Sequence, residues 1–138
     1  MKTSLDELQA FITVVDAGSI SAAAEQLAAQ FLRALGWQVV AENFHCQSGE
    51  IDLIIRPNTA EQLLVFVEVR SRKRAAFGDA VSSVTAAKQR KLYQTAAYFL
   101  QTHPEFGAFD CRFDVIAVQL AASPVQFEWI IAAFVGVS

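Results

Sequence analysis

The stretch GEIDLIIRPNTAEQLLVFVEVRSR, residues 49–72, decides how this chain folds. It holds two runs of large apolar residues, Glu50 to Arg56 and Leu63 to Arg72, with the turn-forming cluster Pro57-Asn58-Thr59 between them. That is the pattern of two strands joined as an antiparallel hairpin. Each run also carries an acid where a purely structural strand has none: Asp52 between Ile51 and Leu53, and Glu68 between Val67 and Val69. Alternation of faces along a strand sends Phe66, Glu68 and Arg70 to one side.

Outward from the hairpin, Trp37 to His45 has the same strand-like composition and predicts a third strand. Before it, Ala24, Leu27, Ala28, Phe31, Leu32 and Leu35 trace a helical stripe that ends at Gly36, with Ser19 or Ser21 placed to cap its start. Leu5, Leu8, Phe11, Ile12 and Val15 predict a shorter helix from about Leu5 to Asp16, stopped by Gly18. After the hairpin, Thr85 can cap a helix running to about Thr102, where His103-Pro104 ends it. Leu92, Ala96 and Phe99, with Tyr93, Ala97 and Leu100 beside them, form its expected buried face. Cys111 to Leu120 and Val125 to Phe134 read as two more strands, although hydrophobicity alone does not separate the last from a buried helix. The order predicts an α/β fold: a mixed central sheet flanked by helices, an αβββαβ core with an extra N-terminal helix. A crossover helix after the third strand permits that strand a parallel partner.

With 138 residues, 54% hydrophobic and only 18% charged, the chain has the size and composition of one ordinary folded domain, which excludes disordered and low-complexity classes. The net charge of −3 advertises no nucleic acid globally, so any such partner must be held by a local patch. One exists: Arg70, Arg72, Lys73, Arg74, Lys88, Arg90 and Lys91 are seven of the eleven basic residues, opposed between positions 70 and 91 only by Asp79. Such a run can simply be solvated loop, but here it begins where the acidic strand ends, so one surface could hold a phosphate backbone beside a metal. Cys46 and Cys111 form no CxxC pair, which argues against zinc knuckles and disulfide scaffolds and predicts reduced core thiols. His45 beside Cys46 reads as a strand-end imidazole next to a core thiol. No secretory signal opens the chain, and its longest charge-free run, Val115 to Phe127, is too short to span a membrane. A cytoplasmic protein without a membrane partner is expected.

If the hairpin brings Asp52 and Glu68 to about 5 Å, their charges repel by roughly 3 kcal/mol at an effective dielectric near 20. Such a pair must take up a proton, a basic partner or a divalent metal. Carboxylate oxygens favour Mg²⁺ or Mn²⁺, and Arg70 is placed to touch a phosphate or a developing negative charge. The same spacing also allows a plain Glu68–Arg70 ion pair with Asp52 bonded in a turn. Glu25, beside the stripe made by Ala28 and Leu32, can lean over the sheet. GxSxG, P-loop and HExxH patterns are absent.

In combination these residues resemble the YraN-like bacterial proteins of endonuclease-like fold, related to the PD-(D/E)XK nucleases and archaeal Holliday-junction resolvases. The resemblance runs from about Ala23 to Phe134. It is carried by Glu25, Gly36-Trp37, Asn43-Phe44-His45-Cys46, Gly49-Glu50-Ile51-Asp52-Leu53-Ile54, Val65 to Arg72, Phe77-Gly78, Val84-Thr85, Lys88 and Cys111-Arg112-Phe113-Asp114-Val115. It implies that Asp52 and Glu68 are the metal-binding acids, Glu25 the helix acid of resolvase-like members, and Arg70 the counterpart of the nuclease lysine. A guanidinium stays protonated and cannot replace that lysine as a base. The implied function is Mg²⁺- or Mn²⁺-dependent attack of water on a phosphodiester of DNA, branched DNA included, with Arg72, Lys73, Arg74, Lys88 and Lys91 on backbone phosphates. A homodimer is implied by analogy with resolvases. The rival reading is a nucleic-acid-binding module of the same fold that does not cut.

A second resemblance, to the opening of LysR-type transcriptional regulators, lies in Leu8-Gln9-Ala10-Phe11, Val14 to Ser19 and Ser21 to Leu27. The recognition helix is missing, so promoter binding is not implied. Residues 1–20 are therefore expected to be a helical extension, with a role in dimerisation as one reading, and 21–138 the endonuclease-like domain.

Overall fold

A computed structural model describes residues 17–72 and 79–134. Its elements are α1 (Ala17–Ala34), β1 (Trp37–Cys46), β2 (Gly49–Pro57), β3 (Leu63–Arg72), a single turn α2 (Asp79–Ser82), α3 (Ala86–Thr102), a 3-10 turn (Pro104–Phe106), β4 (Asp110–Gln119) and β5 (Gln126–Phe134). The strands form one five-stranded sheet in the order β1-β2-β3-β4-β5. The β1–β2, β2–β3 and β4–β5 pairs are antiparallel, whereas β3 and β4 are parallel. The expected mixed α/β sheet is therefore the one observed, with the parallel pair where the helical crossover allows it.

Two hydrophobic clusters lie on the two faces. Ala24, Leu27, Ala28 and Leu32 of α1 pack on Leu53, Ile55, Val65, Val67, Ile116 and Val118. Leu92, Ala96 and Phe99 of α3 pack on Ile51, Ile54, Leu64, Phe66, Val115 and Ala117. Burying each large aliphatic or aromatic side chain is worth roughly 1.5–3 kcal/mol, so these contacts fix how both helices sit on the sheet. Thr85 caps α3 by accepting a hydrogen bond from the Lys88 amide at 3.2 Å, and His103 closes the other end.

Several expectations are corrected. The helix α1 begins at Ala17 and runs through Gly18, Ser19 and Ser21, so Gly18 is no stop and neither serine is a cap. A glycine inside a helix costs only about 1 kcal/mol, which the apolar stripe behind it outweighs. Leu35 lies beyond the helix end and is 56% exposed. Gly36, at φ +95°, terminates α1, with its amide bonded to the Arg33 carbonyl. On α3 it is Thr95 that is buried, while Ala97 is exposed. Both cysteines are free, but Cys46 is half-buried and Cys111 exposed, so neither is a core thiol. The helix expected over Leu5 to Asp16, and with it most of the regulator-like segment, lies outside the described residues. No helix among the described residues is long and apolar enough to cross a membrane.

Candidate metal and phosphate site

The hairpin comes apart where the acids stand. Pairing of β2 with β3 covers Ile55–Val65, Ile54–Phe66 and Leu53–Val67, so Asp52 and Glu68 would form the next pair. There β2 turns over: Ile51 joins the α3-side cluster and Leu53 the α1-side cluster, although residues two apart in a regular strand share a face. On β1, Asn43 falls between the pairs Glu42–Leu53 and Phe44–Ile51, opposite Asp52, and takes a left-handed backbone at φ 53°, a conformation asparagine tolerates well. The parting leaves the Val69 amide without a strand acceptor, and Asp52 supplies one: Val69 N–H donates to Asp52 Oδ2 at 2.8 Å.

Glu68 and Asp52 are both buried. One oxygen of Glu68, Oε2, is approached by two cations: Arg70 Nε at 3.2 Å and Lys88 Nζ, from the first turns of α3, at 3.4 Å. From the other side Glu25 of α1, half-buried, reaches Asp52 with its carboxyl. The register of α1 explains this reach, because Ala24 and Ala28 are buried against the sheet and Glu25 sits at the edge of their stripe.

Crowding acids in a dry place raises their proton affinity. Burial pushes the Glu25 carboxyl up to about 7, reinforced by the charge of Asp52, a hydrogen bond to Asp52, and the charges of Glu50 and Glu68. When protonated, Glu25 donates to the Asp52 carboxylate. Burial and the charge of Asp52 push Glu68 up to about 7 as well, against the pull of Lys88 and Arg70. Asp52 also rises, through burial first, opposed by the Val69 amide and by Lys88. The cluster is short of positive charge even with both basic side chains present.

This is the donor set a hard divalent cation prefers. Among the described residues no three acid, histidine or cysteine side chains are already drawn into a closed cage. Mg²⁺ does not require one, since it is commonly held by one or two carboxylates, with waters and substrate phosphates completing the octahedron. Asp52 and Glu68 meet that requirement, with Glu25 behind Asp52.

Of the residues singled out in the sequence, Glu25, Asp52, Glu68, Arg70 and Lys88 are brought together. Arg72 is paired with Glu128 of β5 at 3.7 Å and has only 11% of its side chain exposed. Lys91 is exposed on α3, one turn beyond Lys88. Lys73 and Arg74 lie outside the described residues. Exposed His45 has its Nδ1 2.9 Å from the Asn43 carbonyl oxygen. Two features were missed: the field of Glu50 on the cluster and the direct engagement of Lys88 with Glu68. Period-two spacing from Asp52 could have flagged Glu50, but nothing in the sequence ties Lys88 to Glu68.

Comparison with known proteins places these residues in a family. The model described as "Uncharacterised protein family UPF0102" matches residues 24–118. Similar proteins include a UPF0102 protein of Psychrobacter sp. (strain PRwf-1), 45% identical over 118 residues, covering 80% of this chain and 83% of that protein. One from Saccharophagus degradans is 48% identical over 111 residues, covering 80% and 88%. Another from Nitrosomonas europaea is 42% identical over 118 residues, covering 86% and 95%. The residues that carry the YraN-like resemblance, from Glu25 to Val115, fall within the matched span.

Proposed function

This chain belongs to the UPF0102 family, and on that premise we propose that it is a metal-dependent, nuclease-like protein of endonuclease-like fold that acts on DNA, branched DNA included. The observation that carries this reading is the buried meeting of Asp52 and Glu68 where two strands part, beside Glu25 and faced by Lys88 and Arg70. Asp52 and Glu68 would hold Mg²⁺ or Mn²⁺. When bound, such an ion lowers the pKa of a water and draws charge from a phosphate oxygen.

The remaining roles follow from the side chains. Asp52 is aimed by the Val69 amide, which donates to one of its two oxygens, Oδ2. Glu25, bonded to Asp52, fixes that carboxylate and offers an acceptor for a water. Arg70, a guanidinium, would stabilise the negative charge developing on the phosphate oxygens. Lys88 faces the same point and would hold the scissile phosphate, with Lys91 further along α3 on a flanking one.

The test is incubation of pure protein with linear, nicked and four-way-junction DNA in Mg²⁺, Mn²⁺ or chelator. Metal-dependent cleavage that chelator stops is expected. The non-cutting rival draws on the two cations already paired with Glu68. It predicts salt-sensitive DNA binding, each phosphate contact adding about −0.9 to the log–log slope, and no turnover with either metal. That result would replace the nuclease reading.

A further inference from the structure

Lys88 and Arg70 both crowd one oxygen, Oε2, of the carboxylate that would hold a divalent ion. Their exposure differs from that of the acid between them: the Glu68 side chain is 5% exposed, whereas Arg70 is 29% and Lys88 39% exposed. The acid is enclosed, and the cations border solvent. Lys88 also acts on both acids, opposing the rise of Asp52 as well as of Glu68. Arg70 is the less satisfied partner. Among the described residues its Nε, close to Glu68 but off the hydrogen-bonding direction, is buried without an acceptor, and its Nη2 reaches the Ser83 carbonyl at 3.5 Å. A buried guanidinium nitrogen with no acceptor is costly, and an anionic oxygen placed before it removes that cost.

Resting on the nuclease reading above, we infer that Lys88 and Arg70 make divalent-metal binding and phosphodiester binding at this site mutually dependent. Without nucleic acid the two cations hold Glu68, so a divalent ion must either displace them or sit against their repulsion. A phosphodiester offers them another partner, draws them off Oε2 and leaves the carboxylate pair to the metal. By linkage the metal strengthens DNA binding by the same factor. The site thus resists loading in the absence of substrate, and the switch is the choice of partner made by two side chains.

The test uses the full chain and two binding measurements. Calorimetric titration of the DNA-free protein with Mn²⁺ compares wild type with Lys88→Met and Arg70→Met, and Asp52→Asn serves as the site control. Fluorescence anisotropy of a labelled four-way junction at fixed ionic strength then measures how much Ca²⁺, which stands in for Mg²⁺ without turnover, tightens DNA binding. Lys88→Met should bind Mn²⁺ about tenfold more tightly than wild type, and Arg70→Met should move the same way. In wild type the gain from Ca²⁺ should lie in the roughly 5- to 150-fold range of ordinary coupling, and it should shrink toward onefold in the double variant. Unchanged or weaker Mn²⁺ binding in both single variants, or an undiminished Ca²⁺ gain, overturns the inference while leaving the nuclease reading standing. A wild-type chain that binds no Mn²⁺ with or without DNA removes both.

Discussion

Glutamine at position 68 should make this protein more stable, by an amount that grows as pH rises from about 4.5 to about 7 and then levels off. The Glu68 carboxyl rises from 4.5 to about 7, first through burial and then through the charge of Asp52. Its folded-state value therefore lies above the unfolded one. Such a group supports the fold fully below about pH 4.5, and that support is lost as pH rises through about 7. Moving a carboxyl from 4.5 to about 7 corresponds to about 3 kcal/mol against the fold once the group is ionised. At 5% exposure little solvent screening reduces that figure. The attractions of Lys88 and Arg70 are already inside it, because both act to lower the value. Glu68→Gln should therefore gain about 2–3 kcal/mol at pH 8 in chelator, roughly 10 °C in Tm, and differ from wild type by less than about 1 kcal/mol at pH 5. Urea unfolding of both chains at the two pH values measures this directly. Equal differences at pH 5 and pH 8, or a variant less stable at both, would refute the claim that buried repulsion governs the cluster.

Other substitutions probe the site and its frame. Asp52→Asn should abolish Mg²⁺-dependent cleavage while the chain stays folded, because the amide oxygen can still accept from Val69; full cleavage by the variant removes Asp52 from the mechanism. Asp114 is fully buried and accepts from Arg112, from Trp129 Nε1 and from the Ala132 amide, so Asp114→Ala should cost about 3–5 kcal/mol and shift Trp129 emission to the red, as urea unfolding and fluorescence would report. Gly49 has φ +152° and would set a Cβ 3.2 Å from Thr95 Oγ1, so Gly49→Ala should lower stability by about 1–3 kcal/mol; an unchanged Tm would contradict the close approach of the β1–β2 turn to α3.

The convergence of Asp52 and Glu68 was legible in the sequence because it needs only two strands, a short connection and two misplaced charges. The register that completes it, Leu53 against Val67, was not legible, because β2 switches faces between Ile51 and Leu53 and alternation alone does not set the pairing. The lean of Glu25 over the sheet was legible from helical spacing, which sets it beside Ala28 and Leu32, whereas its role as a site acid came from the family resemblance. Lys88 as a direct partner of Glu68 was not. It belongs to an element twenty residues later, and only the packing of Leu92, Ala96 and Phe99 on the sheet brings its helix to the acid. The network around Asp114 was hidden by a bulge: Phe113 pairs with Phe134 but Val115 with Ile130, and the residues looped out between deliver the Ala132 amide to the carboxylate. The start of α1 was misread because local breakers, Gly18 and two serines, were weighed without the burial that overrides them.

Asp52 and Glu68 are proposed to hold one divalent ion between them. Crystals grown with Mn²⁺ and measured at its absorption edge test this without reference to any reaction. One anomalous peak about 2.1 Å from an oxygen of each carboxylate, with Lys88 and Arg70 turned away from Glu68, is the predicted result. Ordered Mn²⁺ elsewhere on the chain, with Glu68 still held by its two cations, would contradict it.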